Sequence, residues 1–232
     1  MRQLLAVSET LDRIIAGIGK LAAWLLMPLV AVIVLDVVTR KFQLLTMLRE
    51  SLERSGAIEA AHLVQVYLTS TKFQELEWHL HAALFLLCLG FGYVRNSHVR
   101  IELVRERFSL RTRAWLELTG CIIFLLPYAG LVLWFGIDFA ERSFQMNEVS
   151  SALTGLSHRW IIKSFVPIGM VLLLGALIAV VLRNIVYLFG PVELQDRAQQ
   201  EAFELHVAAE ELAQAKLQEA DRLQIRTGGG AA

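Results

Sequence analysis

Apolar stretches separated by charged segments set the rhythm of this chain. Four of them, Leu21–Val38, Leu76–Val94, Leu118–Ile137 and Phe165–Leu182, each run for 18–20 residues. A helix of that length reaches roughly 27–30 Å, the thickness of a bilayer's hydrocarbon core. Only a helix or a closed barrel satisfies its backbone hydrogen bonds there, so the pattern predicts four transmembrane helices. Helical periodicity continues outside them. Leu4, Val7, Leu11, Ile14 and Ile18 recur at spacings of three and four around Glu9, Asp12 and Arg13. This predicts an amphipathic helix over residues 1–20, lying at the membrane interface and leading into the first span. Leu45, Leu48 and Leu52 repeat the pattern beside Arg49, Glu50, Glu53 and Arg54, so the long connection 43–71 should carry a surface helix that Gly56 interrupts. After Pro191, the stretch Val192–Arg226 is rich in Ala, Glu, Gln and Leu, which predicts a soluble helical tail over 192–232. The fold class is therefore an all-α membrane protein, with a four-span domain over 21–191 between an interfacial helix and that tail.

Composition agrees, with 56% apolar and 19% charged residues and a mean hydropathy of +0.53. Net charge is zero, yet the tail from Val192 holds eight acidic residues against four basic ones. Nothing resembles a nucleic-acid patch. Cys88 and Cys121 both fall inside spans and are expected to pack as small apolar groups. The first apolar run is longer than a signal-peptide core and lacks a small-residue cleavage site after it, so no cleavable leader is expected. Fourteen Lys and Arg residues fall in the N-terminal, middle-loop and C-terminal segments, against eight in the other two loops. The positive-inside rule then expects both termini in the cytoplasm.

The middles of the spans are almost free of polar groups, whereas a solute passage needs them near mid-depth. Asp36 closes the first span, and Glu77, His79 and His81 occupy the first turns of the second. Pro127 is the one central helix breaker noted, and a kink is expected there. No GxxxxGK[ST] phosphate loop occurs. The candidate residues are consequently ones that meet partners or lipid: Glu75, Glu77, Trp78, His81, Arg95, His98, Arg100, Arg159, Trp160 and Lys163. Glu77 and His81, four apart, could share a charge-assisted hydrogen bond. Trp78 suits an aromatic belt, and Arg95, His98 and Arg100 suit lipid phosphates or a partner at the opposite surface. Glu75 and Glu77 lie on the same side as Arg159 and Lys163, where either pairing across helices or separate snorkelling would avoid solitary burial. Gly19 with Ala23, and Gly175 with Ala179, permit close helix approach.

Four segments together resemble a known family. They are Val38-Thr39-Arg40-Lys41-Phe42, Gln74-Glu75-Leu76-Glu77-Trp78, Gly92 followed by Ser97-His98-Val99-Arg100-Ile101-Glu102, and Arg159-Trp160-Ile161-Ile162-Lys163 leading to Pro167-Ile168-Gly169. In this order the chain, from roughly Ile14 to Pro191, resembles the small membrane subunit of tripartite ATP-independent periplasmic (TRAP) transporters, the DctQ-like small permease. The 43–71 connection is longer than is usual in that family, and the tail lies outside its core. The resemblance implies a bacterial inner-membrane accessory subunit, with no catalytic residue, metal or cofactor of its own. Its implied partners are a large permease on a separate chain and a periplasmic substrate-binding protein. Together these would take up an organic acid or related solute on an ion gradient.

A second class is a haem-binding membrane anchor of a redox complex, using His79, His81 and His158. It suffers because no further histidine lies within a span. An enzyme finds less support, since no HExxH site or nucleophile arrangement is present.

Overall fold

The computed structural model describes residues 1–95, 108–152, 154–195 and 197–198. Eight α-helices occur among them: α1 (Arg2–Ala23), α2 (Leu26–Lys41), α3 (Leu44–Arg54), α4 (Ile58–Tyr67), α5 (Ser70–Val94), α6 (Leu110–Gly120), α7 (Leu126–Gln145) and α8 (Trp160–Phe189). A π-helical turn, Cys121–Leu125, joins α6 to α7. Four stretches, Arg2–Lys41, Ile58–Val94, Leu110–Gln145 and Trp160–Phe189, are long and apolar enough to cross a membrane. The all-α architecture with four spans is therefore present. Most of the expected C-terminal helix lies outside the described residues, which reach only a helical turn at 192–195 and positions 197–198.

Prolines shape the spans in three ways. The first apolar stretch is not one continuous helix, because a turn at Trp24–Leu25 separates α1 from α2. Pro28 lies four residues after Trp24 and has no N–H for its carbonyl. The chain tightens instead, with Trp24, Leu25 and Met27 N–H groups donating three residues back at 2.9–3.2 Å. At Pro127 the expected disturbance takes the form of the preceding π turn, whose wider ring relieves the crowding between the pyrrolidine and the carbonyl four residues earlier. Pro167 stays inside α8.

The chain divides into two compact units. The first comprises Met1–Arg13, Gly92–Leu125 and Ala176–Ala232. Within it, Leu5 packs with Val186, Leu194 and Ala198, and Ala114 and Leu118 pack with Leu188. Trp115 meets Phe189 edge to face, with centroids 5.6 Å apart, and the Tyr93 hydroxyl and Cys121 thiol are hydrogen-bonded at 2.9 Å. Polar contacts join α1 to α8. The Ser8 hydroxyl donates to the Ala179 carbonyl at 2.9 Å, and one turn on, Arg183 pairs with Asp12. Asp12, a polar residue of the amphipathic pattern, is only 15% exposed, and Arg183 9%. Ser8 is wholly buried, whereas Val7 and Ile14 of the apolar stripe are about half exposed. In a bilayer that assignment is reasonable, because lipid accepts the apolar side chains and the ion pair needs the protein.

The second unit comprises Ile14–Phe91 and Leu126–Gly175. Here α5 and α8 run in the same direction and approach backbone to backbone. A Cβ at Gly90 would lie 2.8 Å from the Leu172 carbonyl oxygen, and one at Gly169 would lie 2.8 Å from that of Leu86. Each helix thus presents a glycine to the other, 3–4 residues apart. Gly19 of α1 rests on Phe91, and Gly136 of α7 faces Val166 and Pro167. Of the small residues singled out from spacing, Gly19 makes such an approach. Gly175 does not, since a Cβ there would meet only Ile15 at an ordinary 3.5 Å. Cys88 is half-buried and Cys121 buried, and neither is in a disulfide.

Two expectations follow. Gly169→Leu forces the α5–α8 contact apart and should destabilise the protein by about 1–3 kcal/mol. Thermal unfolding in mild detergent measures this, with Gly130→Leu, where a Cβ meets nothing, as the neutral comparison. Arg183→Leu leaves the Asp12 carboxylate without its partner and should cost about 3–5 kcal/mol. Adding Asp12→Leu should recover most of that loss in the same assay.

Candidate functional site

Polar side chains gather in the second unit, at the end where α2 and α7 finish and α5 and α8 begin. Asp36, in the penultimate turn of α2, is fully buried. Arg40 one turn later pairs with its Oδ2, and the Ser70 hydroxyl at the start of α5 donates to its Oδ1 at 2.8 Å. A buried carboxylate is tolerable only with such donors. The contact ties the end of one span to the beginning of the next.

Glu75, in the second turn of α5, anchors the 146–159 connection. Its carboxylate accepts the Ser150 hydroxyl and, at 2.6 Å, the Leu156 N–H. The connection is folded on itself by the Ser150 N–H donating to the Leu156 carbonyl at 3.1 Å. A Cβ at Gly155 would stand 2.7 Å from Glu75 Oε1, so glycine is what lets the carboxylate reach in. Asn147 and His158 adopt left-handed backbone with φ of 45° and 62°, a conformation in which Asn and His are enriched.

Lys163 opens α8 beneath this connection. Its ammonium pairs with Glu148 and sits over the Phe139 ring, 4.0 Å from the centroid. The Arg159 N–H donates to the Glu148 carbonyl at 3.2 Å. The Lys163 ammonium holds the Glu148 carboxyl below the usual carboxylate range, with Arg159 adding to the effect. Trp160 meets Phe144 edge to face at 5.2 Å.

Several sequence-derived candidates thus converge: Glu75, Arg159, Trp160 and Lys163 all serve this loop. Of the pairing expected across helices, Lys163 takes Glu148, while Glu75 takes neutral donors directly and is also stabilised by the nearby Arg159 charge. Glu148, Ser150 and Gly155 were not foreseen, since an irregular loop has no periodicity to reveal them. Glu77 and His81 do not bond to one another among the described contacts. The ring of His79 bonds instead to the Glu75 carbonyl, while His81 is exposed. Trp78 is 78% exposed, as a belt residue would be. Arg95 ends the described part of α5, and His98 and Arg100 lie outside the described residues. Tyr67, Lys72, Phe73, Leu76, Gly155, Leu156 and Ser157 line an open cleft of ≈ 340 Å³. Among the described residues no three His, Cys, Asp or Glu side chains are grouped as a metal would require.

The arrangement is a set of pinned helix ends below a stapled loop, with apolar spans behind it. The family model for the DctQ component of tripartite ATP-independent periplasmic transporters matches residues 29–186. The chain belongs to this family. It is a small component of a TRAP transporter and a multi-pass membrane protein. The matched segment includes Glu75, Glu148 and Lys163, and also the long 43–71 connection. No curated protein and no solved structure matches the chain. Membership of a transporter-component family, rather than a redox or enzyme family, does not favour the haem-anchor alternative.

The Glu148–Lys163 pair carries a pH expectation. Because the carboxyl is held below its ordinary range in the folded protein, the pair contributes fully at and above that range. The contribution disappears as pH falls through the lowered folded value. Proteolytic protection of the 146–159 connection should therefore be flat near neutrality and fall in acid. Lys163→Met should leave the connection more open already at neutral pH, as read by the rate of cleavage.

Proposed function

We propose that this TRAP component is a scaffold: it holds a large permease on a separate chain in the bilayer and hosts no solute passage of its own. Its termini lie in the cytoplasm, so the Glu75-anchored loop faces the periplasm and gives the substrate-binding protein part of its docking surface. The system takes up an organic acid or related solute on an ion gradient. The chain has no catalytic role.

One observation carries this reading. The segments Leu21–Leu35, Ala82–Val94, Leu118–Ile137 and Ser164–Leu182 contain no Asp, Glu, Lys, Arg or His. A passage for a charged solute needs coordinating groups near mid-depth. Burial supports the same reading: three of the four span windows have only 17% of their residues buried within the chain, against 39% for α8. Spans so little buried within the chain leave broad apolar faces for lipid and for another membrane protein.

The reading is tested by purifying the tagged chain in mild detergent from its native membrane and reconstituting it with and without associated proteins. A large polytopic permease should co-purify, and vesicles holding the chain alone should show no solute uptake. Uptake by the isolated chain, or recovery without any polytopic partner, would overturn the proposal.

A further inference from the structure

The connection between the first two spans is a helical hairpin, α3–α4, whose role the scaffold reading does not supply. It has little core of its own. No residue of α3 is buried, and in α4 only Ala61 is. Leu45 and Leu52 are half-buried, but Leu44, Met47 and Leu48 are exposed, as are Ile58, Leu63 and Tyr67. A two-helix hairpin that shelters so few apolar side chains is not held in water by its own packing.

Its tethers restrict where it can lie. Two residues, Phe42 and Gln43, separate α2 from α3, and two, Leu68 and Thr69, separate α4 from α5. Two residues reach at most about 7 Å, so both ends of the hairpin stay at the ends of two membrane-crossing helices. Both tethers have interfacial chemistry. Lys41 stands 5.8 Å from the Phe42 ring centroid, and Lys72 stands 5.1 Å from that of Tyr67. Aromatic bodies with ammonium tips beside them suit the boundary between headgroups and acyl chains.

Along α3 the apolar residues gather on one side, with Leu44, Leu48 and Leu52 one turn apart. Arg49, Glu50 and Glu53 share the other and Arg54 stands at the edge between them, with Arg49 paired to Glu53 at 3.4 Å and Arg54 to Glu50 at 3.5 Å. We infer that the α3–α4 hairpin docks on the lipid surface, its Leu44–Met47–Leu48 face immersed at the headgroup–acyl boundary and its charged face in water. The arginines are already matched by glutamates, so apolar burial drives docking and salt has little effect. Immersion is about 5–10 Å deep. The hairpin thereby braces the span ends that Asp36 and Ser70 join. This inference requires only a membrane-spanning chain and stands whether or not the scaffold reading does.

The test uses the full-length chain in phosphatidylcholine vesicles containing nitroxide-labelled lipid. Met47→Cys and Glu53→Cys are each coupled to a bimane dye, with the unsubstituted chain controlling for Cys88 and Cys121. Lipid nitroxide should quench the Met47 label several-fold more than the Glu53 label. Aqueous iodide should do the reverse, and the lipid-quenching contrast should persist in molar salt. Adding Leu48→Glu to Met47→Cys should reduce the lipid quenching. Equal iodide access at the two positions overturns the inference. So does protection of Met47 that appears only when other transporter subunits are added, which would make a protein the occupant.

Discussion

A charged side chain that enters hydrocarbon needs its opposite or a set of donors, and the ends of this protein's helices are arranged around that need. Asp36 is fully buried and holds Arg40 and Ser70. Asp12 and Arg183 meet across 171 positions of sequence. Lys163 takes Glu148 from the preceding connection. These groups lie outside the middles of the spans, and the Asp36–Ser70, Asp12–Arg183 and Glu148–Lys163 contacts each also join two chain segments.

Between those ends the helices have only shape to hold them, because lipid removes the hydrophobic drive that packs helices in water. The response is close backbone approach. Gly90 against Leu172 and Gly169 against Leu86 let α5 and α8 touch along parallel paths. The outward surfaces carry the large side chains, with Leu21, Trp24, Trp78 and Trp134 each at least 74% exposed. Small and polar groups such as Ala129, Ala176, Ser8 and Ser143 are buried, as are Leu177 and Val186, while many bulky apolar side chains face out. Ser8 beside Val7 on α1 shows the contrast within two residues.

The scaffold reading and the lipid-docked hairpin are consistent with that economy. Midplanes free of ionisable groups suit a support better than a conduit. A hairpin anchored within two residues of two spans adds a footing at the membrane surface. The Glu75-stapled loop adds a second shaped feature at the same end of the second unit, available to a partner that approaches from water.

The four spans, their all-α character and the family were legible from the residues alone, because hydropathy and helical period are properties of a segment and need no neighbour. Local chemistry was also readable: Gly56 ends α3 as expected, with φ of 80°. The break at Trp24–Leu25 was in principle visible in Pro28, and hydropathy concealed it because both sides are equally apolar. Partner choice was not available to segment-level reasoning. Which carboxylate Lys163 would take, whether Asp12 faced water or Arg183, and which glycines met a backbone depend on helix rotation. Rotation is set by contacts between residues far apart in the chain, and an apolar helix in lipid has no wet face to declare it in advance.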